Sequence, residues 1–87
     1  MQQYEIINSV NKIVAETLNC PIHEVLPEKH LCYDLLADSL ALLDISLALE
    51  DTFKIEYKEQ YIADTEYVKN LYYIVNNALA LNDERRK

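Results

Sequence analysis

The chain has 87 residues, 51% of them hydrophobic, so it can bury one compact core but cannot form two domains or a deep enzyme cleft. Fifteen acidic and eight basic residues give a formal net charge of −7, which argues against binding to nucleic acid or to an anionic membrane. No apolar run is long enough to cross a bilayer and the N-terminus resembles no secretion signal, so we expect a single cytoplasmic domain at 1–87 with no membrane insertion.

The first predicted element is an amphipathic helix. The chain contains no glycine, which disfavours tight β-hairpins because their turns need positive φ angles. Apolar residues recur at three- and four-residue steps near the N-terminus: Ile6, Ile7, Val10, Ile13, Val14 and Leu18. This stripe predicts a helix from about Gln3 to Leu18, with Asn19 as a left-handed cap and Pro21 preventing continuation.

The rest of the chain predicts further helices after a long connection. Residues 19–37 form the connection, and the apolar residues within it predict that it packs on the core. A second helix is predicted from Asp38 or Ser39 to about Thr52, then a short helical turn at 58–63 and a last helix after Asp64 or Thr65. Residues 81–87 are polar and predict a frayed tail. We therefore expect an all-α four-helix bundle with three main helices and one short one.

Residue types used in catalysis and metal binding occur here without the necessary spacing. Cys20 and Cys32 form no CxxC pattern, and two reduced thiols fit the cytoplasm. His23 and His30 lie in the connection without metal-ligand spacing. We predict no metal site and no catalytic residues, hence a protein that is not an enzyme.

The pair Asp38-Ser39 at the predicted start of the second helix is chemically more informative. As the N-cap, Asp38 would accept hydrogen bonds from the first turn. The Ser39 hydroxyl would then lie at the positive end of the helix dipole, which suits a phosphodiester. No base is evident beside it, so it is a poor self-activated nucleophile. From Asp38-Ser39-Leu40 alone, a shared capping role is the better explanation of Ser39.

Acidic residues are concentrated in the middle of the chain. Residues 34–66 contain nine acids and two bases, which accounts for the whole net charge. Such a segment predicts partners with basic patches. A solvated surface that keeps the protein soluble explains the same pattern.

Three stretches carry a recognisable pattern: Pro27-Glu28, Asp-Leu-x-Ala-Asp-Ser-Leu at 34–40 and Leu-Glu-x-x-Phe-x-Ile-Glu at 49–56. Their order and ungapped spacing resemble the acyl carrier protein family, and the helix pattern agrees over nearly the whole chain. The resemblance implies that a phosphopantetheinyl transferase attaches 4'-phosphopantetheine from coenzyme A to Ser39. The thiol of this arm would carry an acyl group as a thioester, and the transferase would supply the base that the chain lacks.

By the same resemblance, the second helix recognises partner enzymes with basic patches, such as ketosynthases, acyltransferases and acyl ligases. The residues implied to bind partners are Leu40, Asp44, Leu47, Glu50 and Asp51, with Asp38 beside the attachment point. The family can shelter an acyl chain between its helices, and the wall residues here would be Leu42, Ile62, Val68 and Leu71. Plain core packing explains these four residues at least as well. We expect the chain to be a monomer.

The sequence departs from the family pattern in places. Leu36 stands where the family usually has glycine, Ala41 where its fatty-acid members often have an acid, and the C-terminal half is rich in tyrosine. Three functions therefore remain open. They are a carrier for fatty-acid or related biosynthesis, a dedicated carrier for polyketide or aminoacyl assembly, and an unmodified acidic helical interaction module.

Overall fold

Three helices make up most of the molecule in the computed structural model, which describes residues 2–58, 61 and 65–85. The elements in chain order are α1 (Gln3–Leu18), a 3₁₀ turn (Ile22–Glu24), α2 (Ser39–Phe53) and α3 (Val68–Arg85). The all-α prediction is confirmed. The short helical turn predicted at 58–63 lies mostly outside the described residues. No helix in the described ranges has both the length and the hydropathy that crossing a bilayer requires.

Helix α1 has the bounds that its apolar stripe and its cap predict. Ile6, Val10 and Val14 are buried on one face. Asn19 adopts the left-handed conformation, with φ 54° and ψ 49°, and its N–H donates to the Ala15 carbonyl. The helix therefore ends at a residue whose side chain tolerates this conformation better than most.

A single core joins the three helices to the connection between α1 and α2. Its most deeply buried side chains are Val10, Val14, Val25, Leu31, Ile45, Leu49, Val68, Leu71 and Val75. Val25 and Leu31 belong to the connection, so that segment packs on the helices as predicted. Each such side chain stabilises the fold by about 1.5–3 kcal/mol on burial.

Backbone hydrogen bonds tie the connection to the start of α3. His30 and Tyr67 form an antiparallel bridge. The Leu31 N–H donates to the Glu66 carbonyl at 2.8 Å, and the Val68 N–H donates to the Lys29 carbonyl at 3.0 Å. These bonds fix the segment that leads to α2 against the helix that ends the fold.

The start of α3 differs from the prediction of a helix beginning after Asp64 or Thr65. The helix begins at Val68, because residues 66 and 67 pair with the connection instead. The side-chain oxygen of Asn70 accepts hydrogen bonds from the N–H groups of Glu66 (3.1 Å) and Tyr67 (2.7 Å). The first-turn N–H groups of Val68 and Lys69 donate instead to the Lys29 and Pro27 carbonyls, so the connection takes the place of an N-cap side chain.

Helix α3 runs through Arg85. The fraying predicted for 81–87 stays a prediction. Residues 81–85 contain neither glycine nor proline, so no residue there ends the helix.

Candidate functional site

The site begins at the N-terminus of α2. Asp38 has extended backbone angles, φ −101° and ψ −177°, and its Oδ1 accepts a hydrogen bond from the Ala41 N–H at 2.8 Å. This is the N-cap geometry that the sequence predicts. The Leu42 N–H donates to the Asp38 carbonyl at 3.0 Å, so the N–H groups of Ser39 and Leu40 precede the first intrahelical hydrogen bond.

Ser39 is the first residue of α2, and its side chain is exposed. Its hydroxyl therefore lies at the positive end of a 15-residue helix dipole, open to an approaching molecule. An anionic group bonded to this oxygen would be stabilised by the dipole and by the N–H groups of the first turn. One carboxylate oxygen of the preceding Asp38 is already engaged in capping.

Leu36, three residues before Ser39, has an unusual backbone conformation. Its φ is 62°, in the left-handed region where leucine is about 1–2 kcal/mol less stable than in the right-handed region. Ala37, which follows it, is buried, and its N–H donates to the Leu31 carbonyl at 2.8 Å. The turn at Leu36 lets Ala37 pack inward and leaves the leucine side chain 80% exposed. The family's usual glycine would take this conformation without strain.

The outer face of α2 combines apolar and acidic side chains. Leu40 and Leu47, which the sequence resemblance placed toward partners, are exposed, as is Asp44. Leu43 is also exposed and joins them, although the sequence analysis missed it. Its spacing, three residues from Leu40 and four from Leu47, was the available signal.

The two acids at the end of α2 differ in their surroundings. Asp51 is exposed and lies 3.7 Å from the Lys54 ammonium, an ion pair that contributes little at such an exposed position. Glu50 is half-buried, and its Oε2 accepts a hydrogen bond from the Tyr57 N–H at 3.1 Å. Glu50 therefore holds the chain after α2, in addition to any role toward partners.

A small cavity lies beside α2, one helical turn from Ser39. It is lined by Leu42, Ile45, Tyr57, Thr65 and Leu71, and its volume of about 10 Å³ accommodates about one water molecule. Two of the four predicted wall residues, Leu42 and Leu71, line it. Val68 packs in the core, and Ile62 lies outside the described residues.

A hydrogen bond joins the hydroxyl groups of two residues that line the cavity. The Tyr57 hydroxyl lies 2.7 Å from the Thr65 Oγ1, which in turn donates to the Tyr61 carbonyl. Burial raises the pKa of Tyr57, and the hydrogen bond with Thr65 offsets part of that rise. These contacts hold Tyr57 in place over the cavity.

Cys20 and Cys32 are both free. Burial, followed by the nearby charge of Glu24, raises the pKa of Cys20, so its thiol is poorly suited to act as a nucleophile. Reduced cysteines are what the sequence predicts.

Comparison with known proteins gives a consistent result. Residues 8–62 match the family model of the phosphopantetheine attachment site. The acyl carrier protein of Thermosynechococcus vestitus is 34% identical over 80 residues, which cover 92% of this chain and 99% of that protein. Acyl carrier protein 3 of Ralstonia nicotianae is 31% identical over 80 residues, or 92% of each chain. A third, from Petrotoga mobilis, is 29% identical over 84 residues, covering 97% of this chain and 99% of that one. The chain therefore belongs to the acyl carrier protein family, whose cofactor is covalently attached 4'-phosphopantetheine.

Proposed function

We propose that Ser39 is the attachment point of 4'-phosphopantetheine and that the chain carries acyl groups as thioesters between biosynthetic enzymes. One observation carries this proposal, namely the exposed Ser39 hydroxyl at the N-terminus of α2, directly after a capping aspartate. A phosphodiester on this oxygen would lie where the helix dipole and the first-turn N–H groups favour negative charge. Asp38 and Ser39 at the start of α2 therefore suit a phosphopantetheine phosphodiester.

The same geometry indicates which groups this chain supplies to the attachment reaction and which the transferase supplies. The Ser39 oxygen forms a bond to the phosphorus of coenzyme A that bears the pantetheine, the pyrophosphate bond breaks, and adenosine 3',5'-bisphosphate leaves. Because Asp38 caps the helix through Oδ1, we assign the base that takes the serine proton to the phosphopantetheinyl transferase. Once attached, the arm supplies the thiol that holds the acyl group. The chain itself presents and orients the arm.

We further propose that the outer face of α2 binds the enzymes that load and unload the arm. Leu40 and Leu47 would supply apolar contact, and Asp44 and Asp51 would steer basic surfaces, mainly through the association rate. Glu50 would contribute its negative charge from a position fixed by Tyr57. The two free cysteines fit the expected cytoplasmic location.

The attachment is tested by mass spectrometry after incubation of the apo protein with coenzyme A, Mg²⁺ and a broad-range phosphopantetheinyl transferase. Wild-type protein should gain one phosphopantetheine mass, and Ser39→Ala should gain none. Ser9→Ala, which removes a hydroxyl from α1, is the matched control and should be modified like wild type. Failure of the wild type to gain this mass, or modification of Ser39→Ala, would refute the proposal and favour an unmodified interaction module.

Fatty-acid or related biosynthesis is the first candidate for the pathway. A dedicated carrier for polyketide or aminoacyl assembly is the second, supported by Ala41, which stands where fatty-acid members often have an acid. With room for about one water molecule, the cavity must open before a long alkyl chain can enter.

Acyl-loaded forms separate the two candidates. Butyryl and dodecanoyl groups would be loaded on the arm, and Tm measured for each form. A chain that enters the core excludes water from apolar surface, so the dodecanoyl form of a fatty-acid carrier should have the higher Tm. Equal Tm values would favour the dedicated carrier.

A further inference from the structure

Leu36 combines two features that each reduce the stability or solubility of the free protein. Its backbone is left-handed, φ 62°, which is unfavourable for a residue with a branched side chain. Its side chain is 80% exposed, so its burial does not offset this strain. Strained residues of this kind concentrate at functional sites. Leu36 is therefore a candidate for contact with another molecule.

The surface around Leu36 is apolar and bounded by acids. Tyr33 and Leu40, on either side of it in the sequence, are 83% and 72% exposed. Asp34 and Asp38, both exposed, alternate with these apolar residues. A complementary surface would have an apolar recess with basic residues around it.

The distance from Leu36 to Ser39 indicates which partner touches it. Three residues span at most about 11 Å, so the Cα atoms of Leu36 and Ser39 lie within that distance. An enzyme that modifies the Ser39 hydroxyl must bring its catalytic groups to that oxygen, and its surface then meets neighbouring exposed side chains. Enzymes that act on the thiol also bind α2, as proposed above, but only the transferase must bring its catalytic groups to the Ser39 oxygen itself.

We propose that Leu36 is a specificity residue for the phosphopantetheinyl transferase, whose recess beside the active site receives the leucine side chain. This inference rests on the proposed attachment at Ser39. The left-handed backbone directs the side chain outward, and the buried Ala37 with its hydrogen bond to Leu31 holds that conformation in place. The partner is thus an enzyme with an apolar recess flanked by Lys or Arg.

The test uses steady-state kinetics of the transferase from the source organism with coenzyme A and full-length apo protein. Leu36→Asn is the informative variant because asparagine has a similar size, tolerates the left-handed backbone and is polar. We expect its KM to rise about tenfold with little change in kcat, while its Tm stays equal to wild type or rises. Leu36→Met, which keeps an apolar side chain, should stay within about threefold of wild type.

A control variant and the possible outcomes complete the test. Tyr73→Ala removes an exposed apolar side chain from α3 and should leave KM unchanged. If Leu36→Asn matches wild type in KM, or if Tyr73→Ala raises KM equally, the inference is wrong. These results remain distinct from failure of the proposed function, in which wild type itself gains no phosphopantetheine mass.

Discussion

The two faces of α2 are built from the same residue types and have opposite surroundings. Ile45 and Leu49 on the inner face are 2% and 0% exposed, whereas Leu40 and Leu47 on the outer face are 72% and 53% exposed. Leucine on the inner face stabilises the fold by leaving water. The same residue on the outer face adds nothing comparable to the free protein, which supports the contact with partners proposed for this face. Apolar residues along one helix therefore differ in what they contribute, and their burial distinguishes them.

Truncation of one leucine on each face tests this difference most directly. Leu49→Ala should lower the free energy of unfolding by about 2–5 kcal/mol, because it leaves a cavity in the core. Leu47→Ala should change it by less than about 0.5 kcal/mol. Urea denaturation followed by circular dichroism measures both. Similar losses from the two variants would contradict the separation of the faces.

Removal of the N-cap tests the N-terminus of α2. Asp38→Ala should lower the free energy of unfolding by about 0.5–2 kcal/mol, because the Ala41 N–H loses its acceptor. Asp51→Ala, which removes an exposed acid from the same helix, is the control and should change stability by less than about 0.5 kcal/mol. If the two variants unfold at the same urea concentration, Asp38 does not stabilise the helix.

The cavity on the inner side gives a prediction with a pH dependence. Tyr57→Phe should lower the free energy of unfolding by about 1 kcal/mol at neutral pH, because the hydrogen bond to Thr65 is lost. In the wild type, burial raises the Tyr57 pKa above its ordinary value of 10.0, so the folded state holds this proton more tightly than the unfolded state. Stability should therefore fall as pH rises above about 10, and less steeply in the variant.

Tyr72 is the internal reference for that measurement. Its pKa is raised by burial too, with the hydrogen bond to Asn11 offsetting part of the rise, so Tyr57→Phe should leave some alkaline dependence in place. Parallel pH curves for wild type and Tyr57→Phe would show that Tyr57 makes no such contribution.

Charge reversal on the outer face of α2 should slow the enzyme and leave the stability of the protein unchanged. Asp44→Lys should reduce kcat/KM of the transferase about threefold to tenfold at low salt, and less at 0.5 M salt, with the unfolding curve unchanged. Glu16→Lys makes the same charge change on α1, where Glu16 is exposed. If the two variants slow the enzyme equally, total charge matters and the face of α2 does not.

The features that the sequence predicted correctly depend on neighbours along the chain. The apolar stripe and Asn19 define α1, and Asp38 caps α2 through an N–H three residues away. The features that it missed depend on distant segments. The start of α3 moves to Val68 because residues 66 and 67 pair with the connection, and no local pattern encodes that pairing.

The candidate site divides in the same way. Ser39 was identifiable from its motif, and Leu36 was noticed as a departure from the family's glycine. The positive φ and the exposure of Leu36 could not be predicted from the sequence, because they follow from the inward packing of Ala37. The carboxylate of Glu50 was assigned to partners alone, because its hydrogen bond to Tyr57 spans the end of the helix.

The hydrogen bond from Leu31 to the Glu66 carbonyl has a consequence for amide exchange. Leu31 lies in an irregular segment, yet its side chain is 0% exposed and its N–H is bonded across 35 positions of the chain. Its amide proton should exchange with solvent as slowly as those in the helices, because release requires α3 to separate from the connection. The segment that presents Ser39 would then open only when the domain as a whole unfolds.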